Sequence, residues 1–127
     1  MVPIHQLFDA MRTGDSAQAR AAFAPFARLA GAPEDEGQFN VDESTIDRFI
    51  AAIGSEREEV WDEQIWDWDV KVDGNLASVW VPYAFYRGEQ LSHCGIDAFQ
   101  LVRLGEAWKI LHVIDTRRRE GCSGPPR

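Results

Sequence analysis

The sequence predicts an α+β fold: N-terminal helices packed on a strongly curved antiparallel sheet, whose C-terminal part is a four-stranded meander. Three observations carry this. Up to Gly54, apolar residues recur at helical spacing. After residue 60 the pattern changes to long β-rich runs joined by short glycine-containing turns. The chain's 127 residues, 45% of them apolar, suffice for one core and one domain. Residues 1–120 are read as that domain and 121–127 as a flexible tail.

The first helix follows from Ile4, Leu7, Phe8 and Met11, at i, i+3, i+4 and i+7 on one face. Gly14 ends it. Asp15 then caps a short second helix, with Gln18 three residues on as in a capping box. That helix stops near Pro25, because proline removes a backbone donor. Residues 31–42, rich in Gly, Pro and acids, read as a loop. Ser44 caps a third helix with Ile46, Phe49, Ile50 and Ile53 inward and Gly54 at its end. Four strand-like runs follow, 61–72, 76–87, 90–104 and 107–117, separated by Asp73-Gly74, Gly88-Glu89 and Gly105-Glu106. The longer runs are about twice the usual strand length, so the sheet must bend, with Pro82 and Gly95 as the candidate positions.

Composition excludes several roles. Five Trp and seven Phe argue for a packed core and against disorder. No apolar run approaches the ~20 residues a membrane helix needs. The net charge of −8 argues against nucleic-acid binding, which needs a basic face. The acid excess lies mainly before residue 61, in stretches such as Glu34-Asp35-Glu36, and reads as a solvated surface. Arg117-Arg118-Arg119 is the one basic run, either a solvated strand end or a contact for an anion or carboxylate. The start, Met1-Val2-Pro3-Ile4-His5, lacks a basic and apolar leader, so a cytoplasmic chain is expected. Cys94 and Cys122 are accordingly expected as reduced thiols, Cys94 in the core and Cys122 in the mobile tail.

Two-residue turns at 88–89 and 105–106 fix which residues share a sheet face. They pair Trp80 with Asp97 and Phe99 with His112. One face then carries Trp80, Tyr86, His93, Asp97, Phe99, Trp108 and His112. The opposite face, with Val79, Val81, Tyr83, Phe85, Cys94, Val113 and Asp115, is nearly all apolar. The first face holds the candidate chemistry. A carboxylate among aromatics acquires a raised pKa and can donate or accept a proton. A neighbouring histidine can hold that proton. Asp97 with His93 or His112 is thus a candidate acid–base set, and Trp80, Tyr86, Phe99 and Trp108 are candidate pocket walls. A two-residue Asp73-Gly74 turn adds Glu63 to this face; a three-residue turn reverses the parity. The competing reading makes these residues hydrogen-bonded groups that set the sheet register. Two histidines and one carboxylate are also a known metal set, but the spacing does not support a metal here. No phosphate loop or nucleophile elbow is present, and no cofactor is called for.

The opening Leu7-Phe8-Asp9-Ala10-Met11-Arg12-Thr13-Gly14-Asp15 resembles the first helices of the nuclear transport factor 2-like (NTF2-like) superfamily. Ala77-Ser78-Val79-Trp80-Val81-Pro82-Tyr83-Ala84-Phe85-Tyr86, Ser92-His93-Cys94-Gly95-Ile96-Asp97-Ala98-Phe99-Gln100-Leu101, Trp108-Lys109-Ile110-Leu111 and Asp115-Thr116-Arg117-Arg118 resemble its branch of small bacterial proteins named "putative lumazine-binding". The resemblance covers about residues 4–122. It implies a cone of three helices in a bent sheet, a pocket inside the cone and a homodimer through the sheet. Relatives such as ketosteroid isomerase, scytalone dehydratase and polyketide cyclases work by metal-free acid–base chemistry, but their catalytic residues do not map onto this chain by motif. Two functions are therefore expected: a small-molecule-binding or dimeric module for an apolar ligand, or a cofactor-independent isomerase, dehydratase or cyclase acting on a small apolar carbonyl compound.

Overall fold

A computed structural model describes residues 2–32 and 42–125, and of residues 42–45 the backbone only. The elements run α1 (Val2–Thr13), α2 (Ser16–Ala22), β1 (Phe23–Ala32), β2 (Asp42–Thr45), α3 (Ile46–Gly54), β3 (Trp61–Ile65), β4 (Asp69–Asp73), β5 (Leu76–Arg87), β6 (Gln90–Leu104) and β7 (Ala107–Thr116). The sheet order is β2-β1-β7-β6-β5-β3, with β4 on the same edge of β5 as β3. Every pairing is antiparallel except β1 with β7. None of the described helices is long and apolar enough to cross a membrane.

The predicted helix faces are the ones buried. Ile4, Leu7, Phe8 and Met11 of α1, and Ile46, Ile50 and Ile53 of α3, enter one core with Val79, Val81, Tyr83, Phe85 and Phe99 of the sheet. Asp15 caps α2, its carboxylate accepting from the Gln18 N–H at 3.0 Å. The Ser44 side chain lies outside the described residues; its backbone belongs to β2, opposite Leu29.

Two strands were not expected. β1 follows α2 directly, and β1 and β2 occupy residues read as helix end and loop. The rest of that loop, 33–41, lies outside the described residues. Short runs of Ala and Gly carry little strand signal, and β1 is set by its neighbours: it adds to β7 in parallel and to β2 across its other edge. Also unexpectedly, the run 61–72 is two strands, broken around Asp67, whose φ is +50°. Pro82 explains the break. It lies on β5 between the stretches that pair with β3 and β4. It offers no N–H toward that edge, and only its carbonyl is used there, accepting from the Trp66 N–H at 3.4 Å.

The cysteines overturn an expectation. Cys94 and Cys122 form a disulfide across a sequence separation of 28. The chain after β7 runs on beside β6, with Arg118 and Cys94 exchanging two backbone hydrogen bonds of 2.9 Å. This brings Cys122 to Cys94, and the described part of the tail is strapped to the sheet. Gly95 permits the approach: a Cβ there would collide with the Thr116 carbonyl.

Candidate functional site

The register of β5, β6 and β7 decides which side chains meet. Two bulges alter it. Ser92 is an extra residue in β6, since Tyr86 pairs with Leu91 and Phe85 with His93. Leu111 is an extra residue in β7, since Leu101 pairs with Ile110 and Gln100 with His112. Each bulge shifts the following pairs by one residue, and a one-residue slip turns a side chain to the other face. Asp97 therefore lies between Val81 and Asp115, not between Trp80 and Ile114. Neither bulge has a glycine to mark it.

The face that meets the helices gathers Tyr83 and Phe85 of β5, His93, Asp97 and Phe99 of β6, Val113 and Asp115 of β7, and Glu63 of β3. Together with Leu7, Phe8 and Met11 of α1 and Phe49 of α3, most of these enclose a cavity of about 290 Å³, with Arg87 and Arg117 also in its wall. Of the expected site residues, Asp97, His93, Phe99 and Glu63 are brought together here. His112 is not: it lies opposite Gln100 and Arg28, on the outer face. Trp80 is on that outer face too and is 57% exposed. Tyr86 points its hydroxyl to Gly124 in the tail. Trp108, half-buried, pairs with Arg103 at the far end of the β6–β7 hairpin and does not line the cavity. Asp115, assigned from the turns to the other face, joins Asp97 because of the Leu111 bulge.

The polar end of the cavity is a carboxyl pair. Asp97 is 3% exposed, and its Oδ2 is buried with no hydrogen-bond partner. Its carboxyl meets that of Glu63 closely enough to share a hydrogen bond. Burial raises the Asp97 pKa well above the ordinary value, and the neighbouring Glu63 charge raises it further. Burial also raises that of Glu63, against the lowering effect of its bond to Asp97. Asp115 is raised by burial and lowered by Arg117, whose guanidinium stands 3.8 Å from its Oδ2. Two enclosed carboxyls in contact cannot both ionise cheaply, so burial and their mutual repulsion both favour a proton held between them.

His93 is held neutral. Its ring stacks on Phe85 with centroids 4.9 Å apart and meets the edge of Tyr83 at 5.7 Å. Burial, then the positive field of Arg117, Arg119 and Arg87, lowers its pKa to about 4. Its Nδ1 lies 3.3 Å from the hydroxyl of Ser92, the residue whose insertion sets His93 opposite Phe85. Burial and the three carboxyls raise the pKa of the Tyr83 hydroxyl, which donates to the Thr116 carbonyl at 2.7 Å and so stays protonated. The cavity thus offers a proton donor and an acceptor at one end, a neutral imidazole beside them, and an aromatic and aliphatic wall. Among the described residues, no three His, Cys, Asp or Glu side chains are disposed to hold a metal ion.

Comparison with known proteins is consistent with this architecture. The family described as "Putative lumazine-binding" matches residues 2–113. Among solved structures, an NTF2-like protein from Cytophaga hutchinsonii superposes with a TM-score of 0.72 at 13% identity, covering 91% of this chain and 93% of that one. An NTF2-like protein of unknown function from Silicibacter pomeroyi gives 0.66 at 21% identity, over 92% and 91% of the two chains. A protein from Streptomyces avermitilis, called a putative dehydratase of the NTF2-like family, gives 0.70 at 17% identity, over 92% and 91%. At these identities the likeness concerns the fold alone. Comparison with curated proteins finds no match.

Proposed function

The chain belongs to the "Putative lumazine-binding" family on an NTF2-like fold, and from that premise we propose that its cavity binds a small, largely apolar molecule through the Asp97–Glu63 pair. One observation carries the reading: the Asp97 and Glu63 carboxyls meet in the wall of a cavity otherwise lined largely by aromatic and aliphatic side chains. A ligand hydroxyl or amine that enters the cavity can donate to the pair, and a ligand carbonyl can accept from its proton. The apolar walls favour a ring system over a sugar or nucleotide.

The same pair favours a second reading, proton transfer on the bound molecule. Asp97 would be the acid or base, Glu63 the group that tunes it, and neutral His93 a second acceptor. The dehydratase relative is consistent with this but is alike in fold only.

The expected homodimer forms, on this reading, through the outer face of the sheet. Trp80, Ala98 and Ile114 lie opposite one another there as a band across three strands, with Trp80 and Ile114 exposed. Sedimentation equilibrium tests it, a monomer at micromolar concentration counting against it. A cytoplasmic chain would keep Cys94 and Cys122 reduced, with the tail released from the sheet.

2-Naphthol, neutral and two rings in size, is a suitable first probe, its own fluorescence reporting binding. The parent should bind it saturably, and Asp97→Leu should bind it about tenfold more weakly, the value of one hydrogen bond to a charged group. Equal binding by both proteins would show that the carboxyl pair anchors nothing.

A further inference from the structure

The ligand itself can be narrowed, given the reading above, by two arginines in the cavity wall. Arg117 already stands beside Asp115. The Arg87 guanidinium has no hydrogen bond or ion pair among the described residues, yet the residue lines the same cavity. It is the last residue of β5, exposed, and shares the inward parity of Tyr83 and Phe85. Along the strand it lies six positions beyond Val81, the partner of Asp97, roughly 20 Å of backbone at ~3.3 Å per residue. The Asp97 carboxyl and the Arg87 guanidinium are therefore set apart along one chamber, with Phe85 and His93 between them.

We propose that the cavity takes a monocarboxylic acid with an elongated ring body, its carboxylate on Arg87 and a hydroxyl or carbonyl on Asp97. The guanidinium is a planar fork that matches a carboxylate in two parallel hydrogen bonds. Asp115, Asp97 and Glu63 already crowd acidic groups into the chamber. A phosphate or dicarboxylate would meet that charge, and a single acid group held at the mouth meets least of it. About 290 Å³ equals the bulk volume of roughly ten waters, which suits one or two fused rings. Arg87 is then a specificity-determining residue, and Asp97 reads the other end of the same molecule.

The test compares 6-hydroxy-2-naphthoate with its neutral amide, 6-hydroxy-2-naphthamide, titrated by fluorescence into the full chain at low salt. The parent should prefer the acid by about tenfold. Arg87→Gln should bring that preference close to one, chiefly by weakening the acid, and added salt should weaken the acid more than the amide. The Arg87 side chain is exposed and bonded to nothing described, so this substitution leaves the fold intact. Equal binding of acid and amide by the parent, or a preference that survives Arg87→Gln, overturns the inference while the amide still reports ligand binding through Asp97. Failure of both probes and of 2-naphthol overturns the underlying reading as well.

Discussion

Asp97→Asn should become more stable than the parent as pH rises from about 4, by up to on the order of 2 kcal/mol, with the advantage shrinking to nothing near pH 4. The folded-state pKa of Asp97 is raised, so the folded protein holds a proton that the unfolded chain has released. Such a group contributes most at low pH, and its contribution falls as pH rises from about 4 through the folded value. Glu63 adds a slope of the same sign. His93 works the other way: lowered to about 4 from 6.5, it favours the folded state above pH 6.5 and loses that contribution as pH falls toward 4. Between about 4 and 6.5 the two effects oppose each other, and above 6.5 the carboxyl slope stands alone. An asparagine at 97 has the same shape, carries no proton to lose, and can donate its amide to the Glu63 carboxylate. Urea unfolding of both proteins across pH 4 to 9 reads the difference directly. Parallel curves for parent and variant would mean that Asp97 titrates normally.

The second large effect belongs to the Cys94–Cys122 bond. For a closed loop of 28 residues the chain-entropy model gives about 3–4 kcal/mol, so reduction or Cys122→Ser should lower the melting temperature by roughly 10 °C. The figure is an upper bound, because the segment after Thr116 can peel from β6 while the rest stays folded. Peeling has its own signature. The strap carries Arg117 and is held by the Arg118 backbone bonds to Cys94, so its release should make Arg117, Arg118 and Arg119 readily cleaved by trypsin. Identical melting and identical cleavage in the oxidised and reduced proteins would mean that the bond constrains nothing.

The fold was legible because its signals are local and periodic. The α1 and α3 faces and the three hairpins at Gly74, Gly88 and Gly105 all follow from residue spacing, and each of these glycines has the positive φ its turn requires. The site was legible only in part, because it depends on register. Asp97, His93 and Phe99 share a face by strand alternation alone, which no hairpin can alter. Which residues of β5 and β7 join them depends on the bulges at Ser92 and Leu111, and neither residue differs visibly from an ordinary strand residue. One slip replaced Trp80 by Val81 opposite Asp97; the other replaced His112 by Val113 opposite Phe99 and set Asp115 opposite Asp97. Strand β1 was hidden for a different reason: Ala, Gly and Pro dominate it, and its place is fixed by long-range pairing with β7. The disulfide depends on the same tertiary path, since only the course of the chain after Thr116 brings Cys122 to Cys94.

On the proposal made above, Asp97 and Glu63 share one proton in a ligand cavity at neutral pH. Carbon-13 NMR of the two side-chain carboxyl carbons, followed from pH 3 to 9, tests it most directly. At least one of them should titrate well above the ordinary carboxylate values of about 3.9 and 4.3, and Asp97→Asn should return Glu63 toward the ordinary range. Two carboxyls that both lose their protons near pH 4 would contradict it.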